Sequence, residues 1–252
     1  TLAIIRVGEK PDDISYEKGA MKKMASFGLN VQSYTFPEDI SDALFKEEFA
    51  KINADKAIDG ILMLRPLPKH ICEKDIEKMI DPAKDLDGIS PENIAKVFAG
   101  DSTGFAPCTA EAVIEVLKAY NIPMQGKRVT VVGRSMVVGK PLSMLFVKEN
   151  ATVTICHSKT KNLKEITKTA DILVSAIGKP KFVTKDMVKP GAVVIDVGIN
   201  RNEQGKVCGD VDFENVKDLA SYITPVPGGV GPMTIAMLMN NIVKTAKKGD
   251  NL

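Results

Sequence analysis

Along the chain, short apolar runs alternate with longer stretches in which apolar residues return every three or four positions. The runs at 2–7, 30–34 and 60–64 read as strands. The stretches at 14–27, 41–52, 72–80 and 109–120 read as helices, with Ser41 placed to cap the second. After Tyr120 the alternation starts again, with strands at 128–132, 151–156, 171–175 and 192–197 and a short one at 222–223. Helices are expected at 141–149 and 234–247. Strands alternating with helices predict parallel sheets joined by right-handed crossovers. The expected fold class is therefore α/β in two domains, residues 1–121 with 241–252 and residues 122–240. Residues 121–127 read as the hinge, and a crevice between the domains is expected to hold ligands. The connection at 81–107, rich in Pro, Gly and Asp, is too long for an ordinary loop and is expected to serve function.

Composition narrows the classes. A net charge of +2 with no long basic run argues against a nucleic-acid surface, and no apolar stretch reaches the length of a membrane span. The 44% hydrophobic and 26% charged fractions are those of an ordinary globular protein, and no secretory signal is visible, so a cytoplasmic location is expected. Cys72, Cys108, Cys156 and Cys208 are scattered without a C-x-x-C pair and read as reduced, mostly buried thiols. With His70 and His157 isolated, no metal centre is expected. The chain starts at Thr1 directly in a strand pattern, from which an N-terminal segment is expected to have been removed or left out.

The sharpest chemical signal is G-R-S-M-V-V-G-K-P at 133–141, directly after an apolar run. A strand ending in a glycine turn that enters a helix presents backbone N–H groups to a phosphate. Gly133 suits the tight turn, Gly139 close helix–strand packing, and Pro141 the first helical turn. Ser135 stands where a second glycine is usual, and the last glycine comes one residue late. The next strand ends in His157-Ser158-Lys159-Thr160, without the carboxylate that would accept a ribose 2′-hydroxyl. Arg134 and Ser158 instead suit the 2′-phosphate of NADP, with NAD as the alternative, while Lys159 and Lys161 read as a solvated loop. Residues 224–234, T-P-V-P-G-G-V-G-P-M-T, are expected to form a rigid irregular loop that is neither helix nor strand. Tyr16 reads either as a stacking platform or as a core residue, and Lys84-Asp85-Leu86-Asp87-Gly88 either as a solvated turn or as a carboxylate for a heterocycle.

Taken in order, these segments resemble the methylenetetrahydrofolate dehydrogenase/cyclohydrolase (FolD-type) family. The carriers are G-I-L-M-L-R-P-L-P at 60–68, K-D-L-D-G at 84–88, P-C-T at 107–109 and the glycine turn at 133–141. They continue with C-H-S-K-T at 156–160, V-I-D-V-G-I-N at 194–200, G-D-V at 209–211 and the Pro/Gly loop. The resemblance covers nearly the whole chain. It implies a folate-binding domain, a Rossmann-type dinucleotide-binding domain, a homodimer, and NADP-linked oxidation of 5,10-methylenetetrahydrofolate to the 5,10-methenyl form. It further implies that Tyr16 and Asp87 hold and act on the folate, with Pro227, Gly228 and Gly229 shaping its side of the site. Gly133 and Ser135 would approach the pyrophosphate, Arg134 and Ser158 the 2′-phosphate, and Ile177 and Ile199 the nicotinamide.

Two departures matter. The family's lysine, four residues after the tyrosine, is here Ala20, and the family's glutamine in the strand motif is here Leu64, followed by Arg65. Hydrolysis of the methenyl bridge needs groups that activate water and move protons, which alanine and leucine do not supply. The expectation is a dehydrogenase whose cyclohydrolase step is lost or weak. Lys18 and Lys22 fall off the Tyr16 face by helical spacing, which leaves Lys23 and Arg65 as substitutes, and Arg65 is a poor proton shuttle. Ala110 also departs from the P-C-T-P form. The alternatives are a bifunctional enzyme using such a substitute, a non-catalytic dinucleotide-binding subunit, and a dehydrogenase of the shikimate or amino-acid type. The last would place a Lys–Asp or Lys–Lys pair beside the substrate, and none accompanies these motifs.

Overall fold

The computed structural model describes residues 1–249. Its backbone divides into two compact units, Thr1–Cys108 with Leu238–Leu252, and Thr109–Met237. The first contains β1 (Leu2–Val7), α1 (Pro11–Ala25), β2 (Val31–Phe36), α2 (Asp42–Ala54), β3 (Gly60–Met63), α3 (Glu73–Met79) and α4 (Pro91–Ala99). Its parallel sheet has the order β2-β1-β3. β1, apolar but for Arg6, is the central strand and is covered on both faces; β3 is buried throughout although it lies at an edge, whereas the other edge strand, β2, is mixed and half-exposed. Phe45 and Phe49 of α2 pack beneath Ile5, Ile61 and Met63, and the Phe36 ring meets Phe45 edge-on at 5.5 Å. Each fully buried phenylalanine contributes about 1.5–3 kcal/mol through the apolar area withdrawn from water.

The second unit contains α5 (Cys108–Ala119, entering at Thr109), β4 (Arg128–Val132), α6 (Gly139–Lys148), β5 (Thr152–Cys156), α7 (Leu163–Thr167), β6 (Ile172–Ser175) and β7 (Val193–Asp196). There follow the hairpin strands β8 (Asn200–Arg201) and β9 (Val207–Cys208), α8 (Phe213–Val216), β10 (Tyr222–Ile223) and the start of α9 (Val230–Gly249). Five parallel strands lie in the order β10-β7-β6-β4-β5. The chain goes from β4 outward to β5, then returns to the other flank of β4 for β6, so the winding reverses at β4. In open sheets of this kind ligands bind beyond the carboxyl ends of the strands at that reversal. Lys118 of α5 pairs with Glu149 at 2.8 Å, and the Tyr120 and Tyr222 rings meet at 6.2 Å. The domain boundaries expected from sequence differ from this division only in where α5, residues 120–121 and residues 238–240 are counted. Residues 250–252, counted in the first domain, lie outside the described residues.

The structure corrects several sequence expectations. The long connection at 81–107 contains α4, capped by Ser90, whose hydroxyl accepts the Asn93 N–H at 3.2 Å, with Pro91 in the first turn and Gly100 closing the helix. Ser-Pro-Glu followed by Ile94, Val97 and Phe98 at helical spacing carried that signal. The Pro/Gly stretch is irregular only to Gly229. From Val230 it is already α9, because Gly231 and Pro232 fall in the first turn, where the backbone N–H has no intrahelical partner. The hairpin of β8 and β9, turned at residues 202–205, was also absent from the expectation, being only two residues long on each side.

Candidate functional site

In the second unit, Gly133 follows β4 with φ +138 and donates its N–H to the Cys156 carbonyl at 2.9 Å. A side chain there would be strained by the backbone and would strike the Ala176 carbonyl, while a Cβ at Gly139 would strike the Gly133 carbonyl. The two glycines therefore set how closely β4, β6 and α6 approach at the point of reversal. Ser135 holds the turn: its Oγ accepts the Val138 N–H at 3.1 Å, which leaves the hydroxyl proton to donate. Val132 and Cys156 are paired in register, so Arg134 and Ser158 leave neighbouring strand ends two residues beyond that pair, and both are exposed. Thr160 Oγ1 accepts the His157 N–H at 2.8 Å and fixes the turn that presents Ser158. A glycine turn at the reversal, an exposed guanidinium and no carboxylate at the end of β5 fit a dinucleotide carrying an extra phosphate.

Ile177 follows β6 half-buried, and Ile199 follows β7 with 73% of its surface exposed. Pro227, Gly228 and Gly229 follow β10 in the same unit, with Gly228 at φ +98 and a Cβ at Gly229 blocked by the Pro225 carbonyl. Beneath these loops lie two buried carboxylates, Asp196 and Asp210, to which sequence reasoning gave no role. Their signal was an acid closing the apolar run Val194-Ile195 and an acid set between Gly209 and Val211. Burial pushes the Asp196 carboxyl up to about 6, against the Val211, Asp210 and Gly198 N–H groups that favour its ionised form.

In the first unit the acidic turn splits its two carboxylates between two duties. Asp85 is buried and accepts the N–H groups of Ile89 at 2.9 Å and Ser90 at 2.7 Å, together with the Asn93 amide at 2.9 Å. It holds the turn into α4 and is spent there. Asp87 is only partly covered and accepts the Cys108 N–H at 2.9 Å. Burial raises its carboxyl above the usual range, opposed by that N–H and by Arg65. Asn241 of α9, also missed from sequence, donates to the Leu86 carbonyl at 3.0 Å and steadies the same turn. Tyr16 of α1 is half-buried, and its hydroxyl is raised by burial and then by the acidic groups of Cys108 and Asp87. Tyr16 and Asp87 are thus within electrostatic reach of each other, and Tyr16 is neither a plain core residue nor a free surface group.

The positions of the departures are equally defined. Ala20 is completely buried on α1, and Leu64 continues β3 by donating its N–H to the Ile5 carbonyl at 2.9 Å. Lys23 lies with its ammonium 5.4 Å from the exposed Phe27 ring, and Lys18 and Lys22 are exposed. Arg65 instead turns inward among three carboxylates, 3.5 Å from Glu73, 3.5 Å from Glu77 and 3.8 Å from Asp87. Burial raises the Glu77 carboxyl, with Arg65 opposing. Of the two substitutes expected from sequence, only Arg65 stands beside Asp87.

Among the described residues no group of three or more His, Cys, Asp and Glu side chains is arranged to hold a metal ion, and no helix is long and apolar enough to cross a membrane. None of the four cysteines is in a disulfide; Cys108 and Cys156 are buried, Cys208 is half-buried and Cys72 is exposed.

Comparison with known proteins agrees with this geometry. Residues 1–87 match the tetrahydrofolate dehydrogenase/cyclohydrolase catalytic domain, and residues 107–250 match the NAD(P)-binding domain of the same family. A relative from Bacillus cytotoxicus named "Bifunctional protein FolD" is 55% identical over 98% of this chain and 86% of that protein. The bifunctional methylenetetrahydrofolate dehydrogenase/cyclohydrolase structure from Campylobacter jejuni superposes with a TM-score of 0.95 at 44% identity, covering 98% of this chain and 88% of that one. The Trypanosoma brucei methylenetetrahydrofolate dehydrogenase-cyclohydrolase, solved with NADP and an inhibitor, gives 0.95 at 35% identity over 100% of this chain and 88% of that one. The chain belongs to the tetrahydrofolate dehydrogenase/cyclohydrolase family.

Proposed function

We propose that this protein oxidises 5,10-methylenetetrahydrofolate to 5,10-methenyltetrahydrofolate with NADP, and that it hydrolyses the methenyl bridge weakly or not at all. NADP supplies the hydride acceptor. What the chain's own residues contribute is binding, orientation and a fixed distribution of charge. Gly133 and Ser135 offer the turn at β4 to the pyrophosphate, while Arg134 and Ser158 take the 2′-phosphate, with NAD as the alternative cofactor if they do not. Ile177 and Ile199 give the nicotinamide apolar neighbours. Tyr16 stacks on the aminobenzoyl ring, and Asp87, fixed by the Cys108 N–H, accepts from the pterin edge. Pro227, Gly228 and Gly229 shape the folate side from a loop with few conformational choices. The reading further takes the first unit as the folate domain and the second as the Rossmann-type dinucleotide domain of a cytoplasmic homodimer.

The observation that carries the weak hydrolysis is the environment of Ala20 and Arg65. Ala20 is a buried methyl group, and the guanidinium beside Asp87 is engaged by three carboxylates, guanidinium groups being poor proton shuttles. Neither moves a proton between water and nitrogen. A bifunctional reading is supported by the name of the Bacillus relative, and it would require Glu77 or Asp87, both raised by burial, to carry the proton. The two readings separate on methenyltetrahydrofolate supplied on its own. The proposal expects decay at the rate seen in buffer, and decay as fast as the dehydrogenase turnover would select the bifunctional reading. Dinucleotide binding without any turnover would select the non-catalytic subunit.

A further inference from the structure

Three loops of the second unit leave the carboxyl ends of β6, β7 and β10; the first two are tied to two buried carboxylates, and the third to the backbone of one of the same residues, Asp196. Asp210 is fully buried and Asp196 nearly so. One oxygen of Asp210 accepts the Ser175 hydroxyl at 3.0 Å, the Ile177 N–H at 2.8 Å and the Gly178 N–H at 3.3 Å. Its other oxygen accepts the Lys179 N–H at 2.8 Å and the Asn200 amide at 2.9 Å. Asp196 accepts the N–H groups of Gly198 at 2.9 Å, Asp210 at 3.0 Å and Val211 at 2.8 Å. Its own N–H donates at 2.8 Å to Thr224 Oγ1, at the start of the Pro/Gly loop. Gly198 and Gly209 lie so close that a Cβ on either would strike a carboxylate, so the backbone is built around these two side chains.

The arrangement costs a good deal to assemble. A carboxylate taken out of water is stable only when its lone pairs are filled, and here they are filled by loop N–H groups and neutral side chains. Loop backbone ordinarily bonds water, yet residues 177–179 point consecutive N–H groups inward at one acceptor. A carboxylate binds such a fan of donors about twice as strongly as a neutral acceptor does. The fan fixes the backbone of Ile177, which is half-buried against the core of the unit, and through Asn200 that of its sequence neighbour Ile199, which is exposed.

We propose that Asp210 is a positioning residue for the cofactor: it fixes the loops after β6 and β7 in the shape that sets Ile177 and Ile199 against the nicotinamide, without touching the cofactor itself. The inference rests on the cofactor reading given above. Asp210→Asn tests it closely, because the amide replaces one acceptor oxygen by a donor, and either orientation sets that donor against at least two of the existing donors.

The experiment uses the full chain in three measurements: NADP titration of the protein without folate, steady-state KM for NADP and for methylenetetrahydrofolate, and amide hydrogen exchange at residues 177–179. The folded Asp210→Asn variant is expected to bind NADP at least tenfold more weakly, to raise the NADP KM in step, and to keep the folate KM within twofold. Exchange at residues 177–179 should quicken with or without cofactor. Unchanged NADP affinity, or equal losses for both substrates, would overturn the role of Asp210. If that variant fails to fold, Asn200→Ala decides, removing one donor and leaving the carboxylate: a loss of threefold or more in NADP affinity supports the role and no loss overturns it. Failure of the unmodified protein to bind either dinucleotide would overturn the cofactor reading itself, a result distinct from unchanged affinity in the variant.

Discussion

The glycine turn of the second unit and the Asp87 corner of the first are held in shape by opposite means. At the turn, the work is done by backbone: Gly133 at a conformation that side chains avoid, Gly139 against a carbonyl, Ser135 closing the loop on Val138. At the corner, the chemistry depends on which side chains project, and Ala20, Leu64 and Arg65 have changed that set while β1, α1 and β3 stay in place. A scaffold built from backbone contacts tolerates no drift, because each substitution meets a carbonyl. A corner built from side chains can lose a proton-transfer group and still keep its packing. Under the function proposed above, this contrast is what would let one activity be kept while another fades.

The largest expected effect attacks the backbone side of the comparison. Gly133→Ala places a Cβ against the Ala176 carbonyl at φ +138, adding about 1–3 kcal/mol of backbone strain to that collision. We expect NADP binding to weaken a hundredfold or more, measured by equilibrium titration beside the Tm. Next comes the side-chain corner. Ala20→Lys with Leu64→Gln should raise hydrolysis of supplied methenyltetrahydrofolate about a hundredfold, the lower part of the range for positioned acid–base groups. The dehydrogenase rate should move by severalfold at most, and an unchanged hydrolysis rate would show that these positions do not set the activity.

A smaller effect separates the two cofactors. Arg134→Ala removes one charge-assisted contact, about 1.5–3 kcal/mol. The NADP KM should therefore rise about tenfold to a hundredfold while the NAD KM stays within twofold, and equal changes would remove the 2′-phosphate from Arg134. The smallest effect is a pH slope. Asp196 keeps its proton in the folded protein up to about 6 but releases it near 3.8 when unfolded, so its contribution is fully present below 3.8 and is lost as pH rises through 6. Urea melts between pH 4 and 7 should show the native protein losing stability relative to Asp196→Asn as pH rises, with a ceiling of about 3 kcal/mol. Parallel stability curves would contradict that account.

Much of this was legible in the chain. The two α/β units and the glycine turn after β4 follow from apolar runs and turn residues, which act locally. The family resemblance singled out Asp87, but the residue pattern alone did not tell it from Asp85. The distinction is tertiary, since it depends on Ile89, Ser90 and Asn93 turning their donors toward Asp85. α4 was hidden by the Pro and Gly around it, although Pro91 and Gly100 sit where they begin and end a helix. Asp196 and Asp210 were hidden for another reason. Most of their partners are backbone N–H groups from loops up to 33 residues away, and no side-chain pattern records a backbone donor.

The central claim is that oxidation is kept and hydrolysis is not. Its most direct test follows methenyltetrahydrofolate absorbance while the protein turns over methylenetetrahydrofolate with NADP. The account predicts that the methenyl product forms, accumulates and decays only at the rate measured in buffer. Product that forms and is hydrolysed as fast as it is made would contradict it and would place a working proton-transfer group beside Asp87.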